Sequence, residues 1–251
     1  MRFSKRTMWA LALCILGGAL SSIASTQDEQ ATRMKAALGS PDRPAADKER
    51  DAARKPIETV QFAGIKTGQT VLEVIAVGGW FTEVLSAAVG PSGKVLAQNP
   101  TFFTTRPGFA EGEKARDDRL KNVTAIHGDI PDAKINGSVD AALTALNLHD
   151  IYNSPAGEAG AVALCKGVFD ALKPGGVFAV VDHVGVAGQE NAKLHRIQLQ
   201  QARDVLTKAG FKVDAESDLL KNPADDHTKA VFDPSLGRHT DQFLIRARKP
   251  N

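Results

Sequence analysis

Apolar and polar positions change their period in blocks along this chain. Short apolar runs of the buried-strand kind occur at Thr70–Ala76, Lys94–Gln98, Val123–His127, Val139–Ala145 and Val177–Asp182, with two more at Phe211–Glu216 and Asp241–Arg248. Helical spacing fills the gaps at Phe81–Val89, Glu111–Lys121, Gly157–Leu172 and Asn191–Ala209, and a further helix is predicted from about Ala45 to Phe62. Gly64, Gly68, the pair Gly78-Gly79, Pro91-Ser92-Gly93, Pro174-Gly175-Gly176 and Gly210 punctuate the blocks. Strands that alternate with helices pair in parallel through right-handed crossovers. The pattern therefore predicts an α/β protein with a doubly wound sheet covered on both faces. No internal repeat is visible.

Two segments precede this pattern. Arg2, Lys5 and Arg6 lead an apolar run from Met8 to Leu20, and Ser22-Ile23-Ala24 places small residues where a signal peptidase cuts. Residues 1–24 are read as a secretory signal peptide, because a transmembrane span needs roughly 20 apolar residues and this run is shorter. Residues 25–45, polar, Ala-rich and interrupted by Pro41 and Pro44, are read as a flexible arm, and 46–251 as one domain.

Composition narrows the partners. The chain of 251 residues is 43% hydrophobic and 24% charged, which is globular. Its 31 Lys+Arg against 29 Asp+Glu include three basic residues of the leader, so the exported chain is near neutral. With 6% aromatics as well, neither a basic footprint nor a stacking platform for nucleic acid is present. Of two cysteines, Cys14 lies in the leader and Cys165 in an apolar helical stretch, where it reads as core. The six His show neither H-E-x-x-H nor a neighbouring C-x-x-C, so no metal-ligand spacing is present and none is predicted.

In a doubly wound sheet, ligands bind outside the carboxyl ends of the strands. Those ends are rich in chemistry here. Glu73 lies inside an apolar strand, where an ionised carboxylate costs several kcal/mol unless paired or used. Gly78 and Gly79 let the backbone approach a ligand at a helix N-terminus. Asp129 ends the third strand, Asn147, His149 and Asp150 follow the fourth, and Asp182-His183 closes the fifth. The sequence has no G-x-G-x-x-G, which sets it apart from nicotinamide oxidoreductases. His149 and His183 are candidate bases, with His195 more distant; a neutral imidazole titrates near pH 6.5. The long segment Asp218–His239 is a candidate lid.

The order E-V-x-x-x-G-G-W-F-T-E-V-L, H-G-D-I, L-N-L-H-D, L-K-P-G-G-V and V-V-D-H resembles a class I S-adenosylmethionine-dependent methyltransferase. More narrowly it is similar to an exported methyltransferase family whose first loop reads I-W-P-G-G-G-W-Y-T-E. The resemblance runs from about Arg50 to Pro250. It implies a Rossmann-like methyltransferase sheet, mostly parallel with an antiparallel C-terminal strand, and methyl transfer from S-adenosylmethionine to a small-molecule acceptor. It implies a cofactor site at Glu73, Gly78, Gly79, Trp80, Gln98, Asn99, Asp129, Ile130 and Asn147. Glu73 falls near the methionyl amino group, Gln98 or Asn99 near the ribose, and Asp129 with Ile130 at the adenine. His149, Asp150 and His183 sit where the acceptor approaches the methyl group. Val77 replaces a family glycine, and a β-branched side chain there resists positive φ. That substitution is the basis of the alternative: a ligand-binding protein that keeps the fold without the catalysis.

Overall fold

The computed structural model describes residues 26–251; the leader read at 1–24 lies outside them. Seven strands form one sheet: β1 Thr70–Val74, β2 Lys94–Asn99, β3 Val123–His127, β4 Val139–Ala145, β5 Leu172–His183, β6 Lys212–Ser217 and β7 Gln242–Arg248. Their order is β3-β2-β1-β4-β5-β7-β6, and β7 runs antiparallel to both its neighbours while the other pairings are parallel. The expected doubly wound sheet with an antiparallel C-terminal strand is therefore the observed one. The chain reverses its direction of winding between β1 and β4, which places the switch point at their carboxyl ends.

The period of two in the strands sorts residues to two cores. Leu72 and Val74 of β1, Ala142 of β4 and Phe178 and Val180 of β5 join one core, with the long helices α9 Gly157–Ala171 and α11 Leu199–Lys208. Val71, Ala141, Leu143, Val177 and Ala179 face the other core, against α4 Pro56–Ala63 and α5 Trp80–Val89. Both faces of the central strands are buried, which is why their sequences read as continuous apolar runs.

Three expectations change. Most of the segment read as a flexible arm is helical: residues 26–38 form a helix, α1, whose Gln30, Met34 and Leu38 are buried at helical spacing. Gln30 Nε2 donates to the carbonyls of Ile65 (3.1 Å) and Ala88 (3.0 Å), so a polar side chain occupies a core-facing position. The helix predicted over Ala45–Phe62 is three pieces, α2 Ala45–Lys48, α3 Asp51–Arg54 and α4. Lys55, placed before Pro56, turns left-handed at φ 43°, since proline disfavours a helical predecessor. The helix predicted over Asn191–Ala209 is split into α10 Asn191–Leu194 and α11, because Ile197 pairs with Val184 at the end of β5. A capping box between Gln198 and Gln201 restarts it.

The segment expected as a lid is pinned instead. Asp225 is buried and paired in bidentate fashion with the fully buried Arg196, at 3.0 Å to each nitrogen. The remaining guanidinium hydrogens reach the carbonyls of Val184 and Lys229. Leu220 and Val231 of the segment are buried, whereas Phe232 is exposed. Among the described residues, no helix is long and apolar enough to cross a membrane.

Candidate functional site

The loop from β1 into α5 sets the geometry. Ile75, Val77 and Gly79 have φ of 59°, 46° and 76°. Left-handed backbone costs a β-branched residue about 1–3 kcal/mol, so the surroundings must hold it. They do so with amide side chains. Gln98 Oε1 accepts from Ile75 N (3.1 Å), Asn99 Oδ1 from Val77 N (2.7 Å), and Asn147 Nδ2 donates to the Ile75 carbonyl (3.0 Å). Val77 thus adopts the positive φ that its type resists.

These bonds give Gln98 and Asn99 a different place from the expected ribose contact. Both amide ends of Gln98 are engaged, the second donating to the Gly128 carbonyl at 2.7 Å. Asn99 keeps one free donor: its Nδ2 is buried without a partner.

Glu73, Gly78, Gly79, Trp80 and Asn147 come together, lining a cavity of about 330 Å³ beside this loop. Glu73 is buried, and the Thr82 hydroxyl at the start of α5 donates to its carboxylate. Burial pushes the carboxyl up to about 7, against the lowering effects of Thr82 and the nearby Arg116 guanidinium. A Cβ at Gly78 would meet nothing within 4 Å, so that flank of the loop is open. At Gly79 a Cβ would lie 2.6 Å from Arg116 Nη1.

Trp80 shares the cavity, but its indole is a core anchor. Its Nε1 donates to the Asp47 carbonyl at 2.9 Å, and the Arg54 guanidinium stacks 4.7 Å from its ring centroid. Asp129 and Ile130 lie apart from this cavity. Asp129 is exposed after β3. Ile130, expected beside a ligand ring, is buried in the core, where it would touch any side chain added at Gly167 of α9.

A second cavity of about 940 Å³ shares a wall with the first, formed by Arg54, Ile75, Val77, Leu146 and Asn147. His149, Asp150 and His183 line it, as do Phe102, Phe103 and Phe232 with Arg106 and Arg238. His149 lies in α8 Leu148–Tyr152. Its Nδ1 meets Asp182 Oδ1 at 2.7 Å, and its backbone N–H donates to Asp182 Oδ2 at 2.9 Å. The two candidate bases do not titrate alike. Burial lowers the His149 imidazole, but the Asp182 and Asp150 carboxylates outweigh it and lift it to about 10. Burial drives His183 down to about 3, with His149, Arg196 and Arg54 adding to the effect and Asp182 opposing it. The near-neutral value expected for both belongs to neither.

Sequence reasoning missed the groups that come from outside the strand ends. Arg54 arrives from α3 and Phe232 and Arg238 from the pinned segment, so no strand-end rule selects them. His195, weighed as distant, is brought to Asp150 by the break at Ile197, with Nδ1 2.9 Å from Asp150 Oδ1.

No protein-family model matches the sequence, and no curated protein does. Solved structures do match in fold. An S-adenosylmethionine-dependent methyltransferase from Aquifex aeolicus superposes with TM-score 0.58 at 19% identity, over 87% of this chain and 97% of that one. The [4+2]-cyclase SpnF superposes with TM-score 0.59 at 18% identity, over 84% and 85% of the two chains. A possible exported protein from Bordetella parapertussis gives TM-score 0.53 at 16% identity, over 81% and 68%. The fold is the Rossmann-like fold of the class I S-adenosylmethionine-dependent methyltransferases.

Proposed function

We propose that the protein is an exported S-adenosylmethionine-dependent methyltransferase of class I, acting on a small-molecule acceptor in the periplasm or outside the cell. The observation that carries this reading is a pair of cavities sharing one wall at the switch point of a methyltransferase fold, with a buried carboxylate in the smaller. The leader at 1–24 and the Bordetella neighbour support export.

The smaller cavity suits S-adenosylmethionine by its donor set. Glu73 offers a carboxylate to the methionyl ammonium, and the open flank at Gly78 leaves room beside the loop. The sequence resemblance gives the adenine amine to Asp129, which lies after β3 and outside the smaller cavity. When bound, the cofactor supplies an electrophilic methyl group on a sulfonium centre. The chain's part is positioning and proton handling, which is what methyl transfer asks of a protein. Phe102, Phe103 and Phe232 with Arg106 and Arg238 suit an acceptor that has an apolar body and an anionic group. His149, Asp150 and His183 face it from the ends of β4 and β5 and serve to orient it.

A second reading, ligand binding without methyl transfer, is favoured by the left-handed Ile75 and Val77. The cyclase among the neighbours carries this fold under a different reaction name. Calorimetric titration of S-adenosylmethionine and S-adenosylhomocysteine into the purified chain tests both. The companion is Gly78→Leu, which fills the open flank without a backbone conflict. Binding that falls at least tenfold in a folded Gly78→Leu protein supports the cofactor site. No binding of either compound at millimolar concentration refutes it, and binding with no methyl transfer across an acceptor screen leaves the second reading.

A further inference from the structure

On the wall of the larger cavity, three side chains from two distant segments bring donor atoms close to one another. We propose that His149, Asp150 and His195 form a binding site for a divalent first-row transition-metal ion. Their ligating atoms all lie within 4.8 Å of one another. Asp150 Oδ1 is 3.2 Å from His149 Nε2 and 2.9 Å from His195 Nδ1. Ligands on a tetrahedral ion with bonds of about 2.0–2.1 Å stand roughly 3.3 Å apart, so the two spacings already approach a coordination edge.

An independent observation points the same way. His149 Nε2 is buried and makes no well-formed hydrogen bond, its nearest polar neighbour being Asp150 Oδ1 at 3.2 Å. An orphaned ring nitrogen in a buried site calls for a partner, since buried polar groups in folded proteins are nearly always satisfied. The opposite nitrogen is fully committed: Nδ1 meets Asp182 Oδ1 at 2.7 Å, and Asp182 Oδ2 takes the His149 backbone N–H. This is the carboxylate–histidine–metal arrangement, in which the outer carboxylate fixes the ring and directs its other nitrogen at an ion. Asp182 is itself wholly buried, so that orientation is rigid. Asp150 and His195 are partly exposed, which leaves their side chains room to adjust to an ion.

Two imidazoles and one carboxylate select the ion. Nitrogen donors suit Zn²⁺, Co²⁺ or Fe²⁺, whereas Mg²⁺ and Ca²⁺ prefer an all-oxygen set. Three protein ligands leave at least one position open toward the 940 Å³ cavity, which is the pattern of a working rather than a structural site. A hydroxyl or carboxylate of the acceptor would complete the shell. That last clause rests on the proposed methyl transfer, whereas the ion site does not. No local spacing announces this set, because His195 lies 45 residues from Asp150.

The test uses the tag-free, metal-depleted full chain, titrated with Co²⁺ and followed by visible absorption, then with Zn²⁺ by calorimetry. The expected result is one equivalent of Co²⁺ with imidazole-type bands, displaced by Zn²⁺ and unaffected by excess Mg²⁺. His195→Ala and Asp150→Ala change half-exposed residues, keep the fold, and are each expected to weaken binding at least tenfold. Asp182→Asn is expected to weaken it by roughly 10–100-fold, as outer-shell changes do. His127→Ala, at an exposed His–Glu pair on the far strand, is expected to retain full binding. Absence of uptake, or uptake equal in the wild type, His195→Ala and Asp150→Ala, overturns the proposal. Neither result needs the cofactor, so failure here and failure of the methyltransferase reading are separable.

Discussion

Replacing Glu73 by Gln tests the central electrostatic statement about the smaller cavity. The amide keeps the shape of the side chain and an oxygen to accept from Thr82, and removes only the charge. The folded carboxyl titrates near 7 and the ordinary side chain at 4.5, because burial penalises the charged form. A gap of about 2.5 pH units at about 1.36 kcal/mol each corresponds to about 3 kcal/mol. The folded value is raised, so the favourable contribution is present in full below pH 4.5 and is lost as the pH rises through 7. Urea unfolding of both proteins from pH 4.5 to 8.5 is expected to give near-equal stability at the acid end. At pH 8.5 Glu73→Gln is expected to be the more stable by about 3 kcal/mol, the difference opening mainly between pH 5 and 7. A pH-independent difference would show that Glu73 ionises freely in the folded protein and refute the reasoning. A cationic ligand beside Glu73 has the opposite tendency, holding the carboxylate ionised, and so binds more tightly as the pH rises toward 7.

Two further changes read the rest of the scaffold. Asp225→Ala leaves the buried Arg196 guanidinium without its carboxylate and is expected to cost about 3–5 kcal/mol in urea unfolding, whereas Asp226→Ala on the exposed side of the same segment stays within about 0.5 kcal/mol; a loss below about 1 kcal/mol for Asp225→Ala would mean that the segment is held by something else. The Cys165 thiol is buried and pushed up to about 12, so a disulfide-exchange reagent is expected to label it only in denaturant, and rapid labelling of the native protein would contradict that burial.

How far the sequence could be read depended on where the cause of each feature lies. The central strands were legible because burial on both faces makes their own residues apolar, as in Val139–Ala145. The α1 helix was not, since its buried stripe Gln30, Met34, Leu38 begins with an amide whose partners are carbonyls 35 and 58 residues away. The break at Lys55 was written locally, in the proline that follows. The break at Ile197 was not: it is imposed by pairing with Val184 and by the burial of Arg196 against Asp225.

The site divides along the same line. Topology alone brings strand ends together, so Glu73, Asn147, His149, Asp150 and His183 could be chosen in advance and do line the two cavities. What topology does not carry is the state of each group. His149 and His183 are the same residue type on one cavity wall, yet one is lifted to about 10 and the other driven to about 3. Asp182 separates them by orientation. It gives its oxygens to the ring and backbone of His149 but only to the backbone N–H of His183, whose Nδ1 turns to Thr240 at 2.6 Å. A buried carboxylate, indistinguishable in sequence from a turn residue, therefore lifts one imidazole, together with Asp150, and sets where its remaining nitrogen points.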